Sequence, residues 1–334
     1  MIIDVHAHFV PRSFLEVIAK EGAPYGASLR QDGNDPTILL SGRPYGPITP
    51  HYYATKPRLK DMDKAGVDMQ VLSLNPPMVY WPDAQLGTRL ARLYNDELAA
   101  AVAARPDRLA GLATVPLQDI PAAVAELTRA VKELGLRGVY IGSNICGKDL
   151  DHPDFLPFFA EAEALRAPVF IHPIDVVGGE RVRAYYLHNG LGNPFDTAVS
   201  ASRLIFGGVL DKFPRLRVCL AHAGGALPYL IGRLDRVYRV RQEARQTIRR
   251  APSTYLRRFY FDIITHHPLA LEYLVKLVGA DRVAIGTDYR FDMGVMDPVK
   301  AVNAIRLSRA DRSTILGGTA AALLFAPRAQ KANR

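Results

Sequence analysis

The chain predicts a closed (β/α)8 barrel carrying a small insertion after its first strand, and three observations point there. Short apolar segments alternate with helical ones eight times along the 334 residues. Those segments are nearly continuous in apolar residues rather than alternating, which marks parallel strands buried on both faces. Histidines or an aspartate close several of them, at the end where barrels build their sites. A single barrel domain spanning 1–334 is the expected organisation, since α/β barrels commonly exceed 250 residues as one unit.

In order, Met1–Val5 opens a strand that runs into His6-Ala7-His8. Residues 11–55 are rich in Pro, Gly and polar side chains, too long for an ordinary connection, and are read as an inserted lid of a few antiparallel strands. Lys56–Ala65 is a helix and Met69–Leu74 a strand; Gln85–Arg105 is a helix and Leu109–Val115 a strand. Ile120–Leu134 is a helix with Pro121 in its first turn, Gly138–Gly142 the fourth strand, Pro153–Leu165 a helix. Pro168–His172 is a strand, Thr197–Phe213 a helix, Leu216–His222 a strand, and Ala226–Arg250 a long helix. Phe259–Ile264, the helix Pro268–Val278 and the strand Val283–Asp288 complete eight units, and helices from about Pro298 and Arg312 close the chain.

Composition narrows the function. An apolar fraction of 49% is globular, and no apolar run approaches the length of a membrane span. The N-terminus enters a strand at once, with no signal-peptide pattern, so the expected location is cytoplasmic. Two cysteines, Cys146 and Cys219, exclude a disulfide framework. Much of the net charge of +9 lies between Arg233 and Arg258, where Tyr238 and Tyr255 are the only aromatics and no binding module is evident, which argues for a solvated or subunit-facing helix, or else a small anionic substrate, and against nucleic acid.

The chemistry lies in where the ligand-type residues fall. Residues two apart on a strand face the same way, so His6 and His8 aim two imidazoles at one point. His172 ends the fifth strand, His222 the sixth and Asp288 the eighth. In a closed barrel all of them ring one mouth. Imidazole nitrogen and carboxylate oxygen suit zinc, or else manganese or iron(II), and no cysteine competes for a softer ion. His6, His8, His172 and Asp288 are therefore assigned as ligands of a divalent metal, zinc first. His222 is assigned as proton carrier, with direct coordination by it left open.

These residues bring a family into view. Asp4-Val-His6-Ala-His8-Phe, Phe170-Ile-His172-Pro173, Ala221-His222-Ala-Gly-Gly225 and Ile285-Gly-Thr-Asp288-Tyr289 resemble the amidohydrolase superfamily, and so do Gly207-Gly-Val-Leu-Asp-Lys-Phe-Pro-Arg-Leu-Arg-Val and Met62-Asp63-Lys-Ala-Gly-Val-Asp68. The likeness is to the branch holding aminocarboxymuconate semialdehyde decarboxylase and γ-resorcylate decarboxylase, and it runs nearly end to end. It implies a distorted TIM barrel, a single divalent metal with the ligands named above, His222 as catalytic histidine, and a homodimer. The fourth strand carries no lysine of the kind that bridges two metals in other amidohydrolases.

The resemblance also implies a reaction: non-oxidative decarboxylation of a small aromatic or dienoic carboxylic acid, with His222 or Asp288 as proton donor. The alternative is hydrolysis or hydration of a related acid by metal-activated water. Arg43 and Arg233 match arginines that hold substrate carboxylates, Arg233 reaching the neighbouring subunit's site. Where the family has Tyr-Pro-Phe after the metal aspartate, this chain has Tyr289-Arg290-Phe291, and the fifth-strand motif continues into Ile174-Asp175 instead of Trp-Asp. Arg290 is thus a candidate carboxylate clamp, or else a partner of Asp292 or Asp175. Tyr80 and Trp81, with His266 and His267, are candidate pocket walls, since loops on that face carry specificity.

Overall fold

The computed structural model describes residues 1–326. A fully buried first strand, β1 (Ile3–His8), is followed by α1 (Arg12–Glu21), an antiparallel sheet of β2 (Ala27–Asp32), β3 (Asp35–Leu40) and β4 (Arg43–Tyr45), and α2 (Pro50–Tyr53). The antiparallel strands match the expectation for the 11–55 segment; α1 does not. Its buried Phe14, Leu15 and Ile18 lie at helical spacing, a single apolar stripe obscured by the polar residues around it.

Regular alternation then sets in: α3 (Thr55–Ala65), β5 (Met69–Ser73), α4 (Ala84–Ala104), β6 (Leu109–Ala113), α5 (Ile120–Lys132) and β7 (Gly138–Gly142). The carboxylates of Asp83 and Asp119 accept from the Leu86 and Ala122 amides and so cap α4 and α5. A small hairpin, β8 (Asn144–Ile145) with β9 (Lys148–Asp149), precedes α6 (Leu156–Ala164) and β10 (Val169–His172). After α7 (Asn193–Phe206), α8 (Val209–Lys212) and β11 (Val218–Leu220) come α9 (Leu227–Val240), β12 (Phe259–Phe261) and α10 (Pro268–Val278). The described chain ends with α11 (Pro298–Asn303), α12 (Arg309–Ser313) and α13 (Thr319–Leu324).

Two predicted helices are shorter than expected. Thr197–Phe213 breaks at Gly207-Gly208, where Gly208 takes φ 75°, a left-handed conformation natural to glycine. Ala226–Arg250 stops at Val240, because beyond it only Ile248 is buried and the many exposed arginines leave no apolar face to pack.

The barrel sheet is parallel in the order β1-β5-β6-β7-β10-β11-β12. Its eighth member, the extended segment 283–289, pairs only through isolated bridges, Phe261 with Val283 and Ala7 with Tyr289. Hydrogen bonds on both sides nevertheless close the ring: Ala284 donates to the Phe261 carbonyl (2.9 Å), Val5 to that of Ile285 (2.8 Å), and Asp288 to that of His6 (2.9 Å). The result is a distorted (β/α)8 barrel. Gly286 makes the closure possible: a Cβ there would stand 2.6 Å from that of Asp262 and 3.0 Å from that of His6.

Candidate active site

Closure places the ends of β1, β10, β11 and the eighth segment at one mouth. His6, His8, His172 and Asp288 are buried there, and His222 is nearly so. The Asp288 Oδ1 lies 2.9 Å from His8 Nε2 and 3.4 Å from His6 Nε2, while its Oδ2 lies 3.6 Å from His222 Nε2. The His172 ring stands 5.3 Å from that of His6 and 5.1 Å from that of His222, centroid to centroid. One ligand atom from each of His6, His172, His222 and Asp288 falls within 4.8 Å of all the others. His8 joins this group through its bond to Asp288.

Second partners fix the tautomers. His172 Nδ1 donates to the Pro173 carbonyl at 2.9 Å, which leaves Nε2 as a lone pair, and that atom is buried without a hydrogen-bond partner among the described residues. His6 Nδ1 donates to Asp262 Oδ2 at 2.9 Å, turning Nε2 inward. A carboxylate behind His6 and a carbonyl behind His172 is the arrangement that orients histidines toward a metal, whereas His8 Nδ1 and His222 Nδ1 have no partner among the described residues. An unpartnered buried nitrogen beside an anionic oxygen and further imidazoles fits a divalent cation.

The electrostatics agree. Burial would raise the Asp288 carboxyl, but the imidazoles of His6, His222 and His8 outweigh it and hold it well below the usual carboxylate range, so it is anionic. Burial pushes the His8 imidazole down to about 4 and that of His172 well below its ordinary value, so both are neutral and offer lone pairs. His6 moves the other way: burial opposes its charge, yet Asp288, Asp262 and Asp4 raise it.

Asp262, at the end of β12, escaped the sequence reading, although an acid closing an apolar strand is the same signal that marked Asp288. Fully buried, its Oδ2 also accepts from the His222 amide (2.9 Å), and its Oδ1 accepts from the amides of Ala223 (2.7 Å) and Ile264 (3.0 Å). These bonds hold His222 and Ala223 at φ 52° and 56°, a left-handed turn that aims the His222 ring into the mouth. Gly225 completes that turn, where a Cβ would strike the Pro194 carbonyl oxygen at 1.9 Å. Tyr140 of β7 was also missed; its hydroxyl is 3.4 Å from His6 Nε2 and its ring stacks on Phe170.

The residues expected to bind substrate are placed differently. Arg43, at the start of β4, donates to His188 Nε2 and lies over the Tyr45 ring. His188, another residue not singled out in the sequence, follows β10, and burial and the Arg43 charge lower it to about 4. Arg290 points toward Asp61, 3.8 Å away, rather than pairing with Asp292 or Asp175. Tyr80 is buried, its hydroxyl unpartnered among the described residues. Trp81 is half-buried, donates to the Met78 carbonyl at 3.1 Å and meets the Tyr25 ring edge-on. Arg233 is exposed on α9, His266 is exposed, and His267 caps α10 by accepting from the Leu269 amide. No described helix is long and apolar enough to cross a membrane.

A closed barrel with histidines and an aspartate converging at its C-terminal mouth defines a class, the metal-centred amidohydrolase-type enzymes. The chain belongs to the amidohydrolase family, whose profile matches residues 3–326. Within it, the chain is 36% identical over 324 residues to a 2-amino-3-carboxymuconate-6-semialdehyde decarboxylase of Dictyostelium discoideum, covering 95% of this chain and 90% of the relative. A γ-resorcylate decarboxylase of a Rhizobium species is 36% identical over 284 residues, covering 80% and 86%. Among solved structures, a dihydroxybenzoic acid decarboxylase of a Polaromonas species, with bound manganese and the inhibitor 2-nitroresorcinol, superposes with a TM-score of 0.79 at 26% identity over 98% of each chain. The branch is the one the motifs resemble.

Proposed function

We propose that the chain is a metal-dependent carboxy-lyase that decarboxylates, without oxidation, a small aromatic or dienoic carboxylic acid. The observation that carries this is the buried ring of His6, His172, His222 and Asp288 with its idle His172 Nε2. The decarboxylase relatives support the reaction, and the manganese of the Polaromonas enzyme supports the cofactor class.

On this reading His6, His8, His172 and Asp288 hold one divalent ion. Its donor set suits zinc, with manganese and iron(II) also compatible. When bound, the ion supplies a Lewis acid that withdraws electron density from the substrate's oxygens. The protein does the rest. The carbon–carbon bond to the carboxylate breaks, its electron pair stays on the substrate carbon, carbon dioxide leaves, and a proton takes its place. His222 and Asp288 face that position: His222 delivers the proton as an imidazolium, whereas Asp288, held anionic, delivers only a proton it has first taken from the substrate's hydroxyl; Asp262 keeps the His222 turn in register. Arg43, Arg233 and Arg290 serve as carboxylate donors, since a planar fork matches a carboxylate's two oxygens. Tyr80 and Trp81 wall the pocket.

The 11–55 segment acts as a lid within one barrel domain. The enzyme works in the cytoplasm as a homodimer in which Arg233 approaches the neighbouring site; its exposure one turn beyond exposed Tyr229 on α9 supports this. The test is carbon dioxide release by the zinc- or manganese-loaded protein from hydroxybenzoates and aminocarboxymuconate semialdehyde. Release with a decarboxylated product is the expected result. No release from any of them, or a product that keeps its carboxylate and gains solvent oxygen, counts against the proposal, the latter in favour of hydrolysis or hydration.

A further inference from the structure

One charged group near the mouth is left unused by the chemistry above. Arg58, in the first turn of α3, is buried at 2% exposure. A guanidinium taken out of water is costly unless its donors are satisfied. No carboxylate lies within ion-pair distance of it among the described residues. Its donors go instead to neutral oxygens on three sides of the centre.

Nη2 donates to the carbonyl of His8 at 2.5 Å and to that of His51 at 2.9 Å, with the Tyr52 carbonyl at 3.4 Å. Nη1 donates to Gln70 Oε1 at 2.9 Å. Gln70 passes the connection on, donating to Asp4 Oδ2 at 3.0 Å. The other Asp4 oxygen accepts from the amides of His6 (3.1 Å) and Thr287 (3.0 Å). The guanidinium plane also lies 4.8 Å from the Tyr289 ring centroid, the residue after Asp288. A single planar cation thus touches, directly or through Gln70 and Asp4, the backbone of His6, His8 and the segment bearing Asp288. It touches the 11–55 segment as well, through His51 and Tyr52. A lysine could not reproduce this, because one ammonium cannot direct a rigid fork at divergent carbonyls.

We infer that Arg58 is a positioning residue for the metal centre: it sets the separation of His8 and Asp288 and ties that separation to the seating of the 11–55 segment. The inference rests on the metal-centre reading. Loss of Arg58 leaves the ring residues in place but loosens their backbone, so the ion binds less tightly and in altered geometry.

The test compares the full-length parent with R58K, R58M and Q70L. Q70L breaks only the branch toward Asp4 and guards against an R58M that does not fold. Thermal unfolding establishes which variants are folded, manganese affinity is measured by competition with a chelating dye, and cobalt substitution gives a visible spectrum that reports ligand geometry. The expected result is that folded R58K and Q70L bind manganese more weakly, by roughly 10- to 100-fold, the range seen for groups that orient metal ligands. Their cobalt band shifts as well, and R58M, if folded, shows the largest changes. Folded R58K and Q70L with parental affinity and an unshifted cobalt band overturn the inference and reduce Arg58 to a packing role. A parent that binds neither metal overturns the metal-centre reading and this inference with it.

Discussion

The inner ring of the mouth and the residues expected to bind substrate are made in opposite ways. His6, His8, His172 and Asp288 sit at or next to strand ends, are buried, and have orientations fixed by backbone or carboxylate partners. Arg43, Arg233, Arg290 and Trp81 sit on helices, loops and the inserted sheet and are at least partly exposed, and the partners of Arg43, Arg290 and Trp81 are His188, Asp61 and the Met78 carbonyl. A barrel fixes strand ends to within the tolerance that metal coordination demands, while its loops are free to change. On the proposed reading, chemistry belongs to the ring and selectivity to these outer residues.

That division can be broken at the ring. D288A, which removes the anion and a ligand together, should abolish metal retention and carbon dioxide release, as judged by elemental analysis and a coupled assay. H222A should leave the metal bound but lower kcat by roughly 10²- to 10⁴-fold, the usual contribution of a positioned proton carrier. If H222A instead strips the ion, the open question of direct coordination is answered in favour of it. D262N keeps shape but weakens the hold on His6 and the His222 turn, and should cost roughly 10- to 100-fold in metal affinity or kcat.

The outer residues sharpen the contrast with smaller effects. R43M should raise KM by roughly tenfold or more, the loss of one charge-assisted bond, with kcat little changed. The smallest effect belongs to His188. Folded, it stays neutral down to about pH 4, whereas its ordinary value is 6.5. Between those values the unfolded chain binds more protons, so stability present above pH 6.5 is lost as pH falls toward 4. His188 is only half-buried, so solvent screening keeps its share to about 1 kcal/mol or less. Urea unfolding at pH 7 and pH 5 should show a smaller drop for H188N than for the parent.

The same contrast explains what could be read in the sequence. Continuous apolar runs set the barrel, and ligand-type residues at their ends marked the ring, because burial on both faces and strand geometry act locally. Asp262 carried that signal and was passed over among the apolar residues of its strand. Arg58 carried none: an arginine in a polar helix turn reads as a surface residue, and only the fold brings the carbonyls of His8 and His51 to it. His188 meets Arg43 across 145 positions of chain, beyond the reach of any local pattern. The eighth strand was legible as an apolar run, yet it pairs too irregularly to form a continuous ladder.

The most direct test of the central claim is the number of divalent ions held per chain after the protein is stripped with chelator and dialysed against manganese. The ring predicts one tightly held ion in the parent and none in D288A. No ion in the parent, two ions per chain, or full retention in D288A would contradict it.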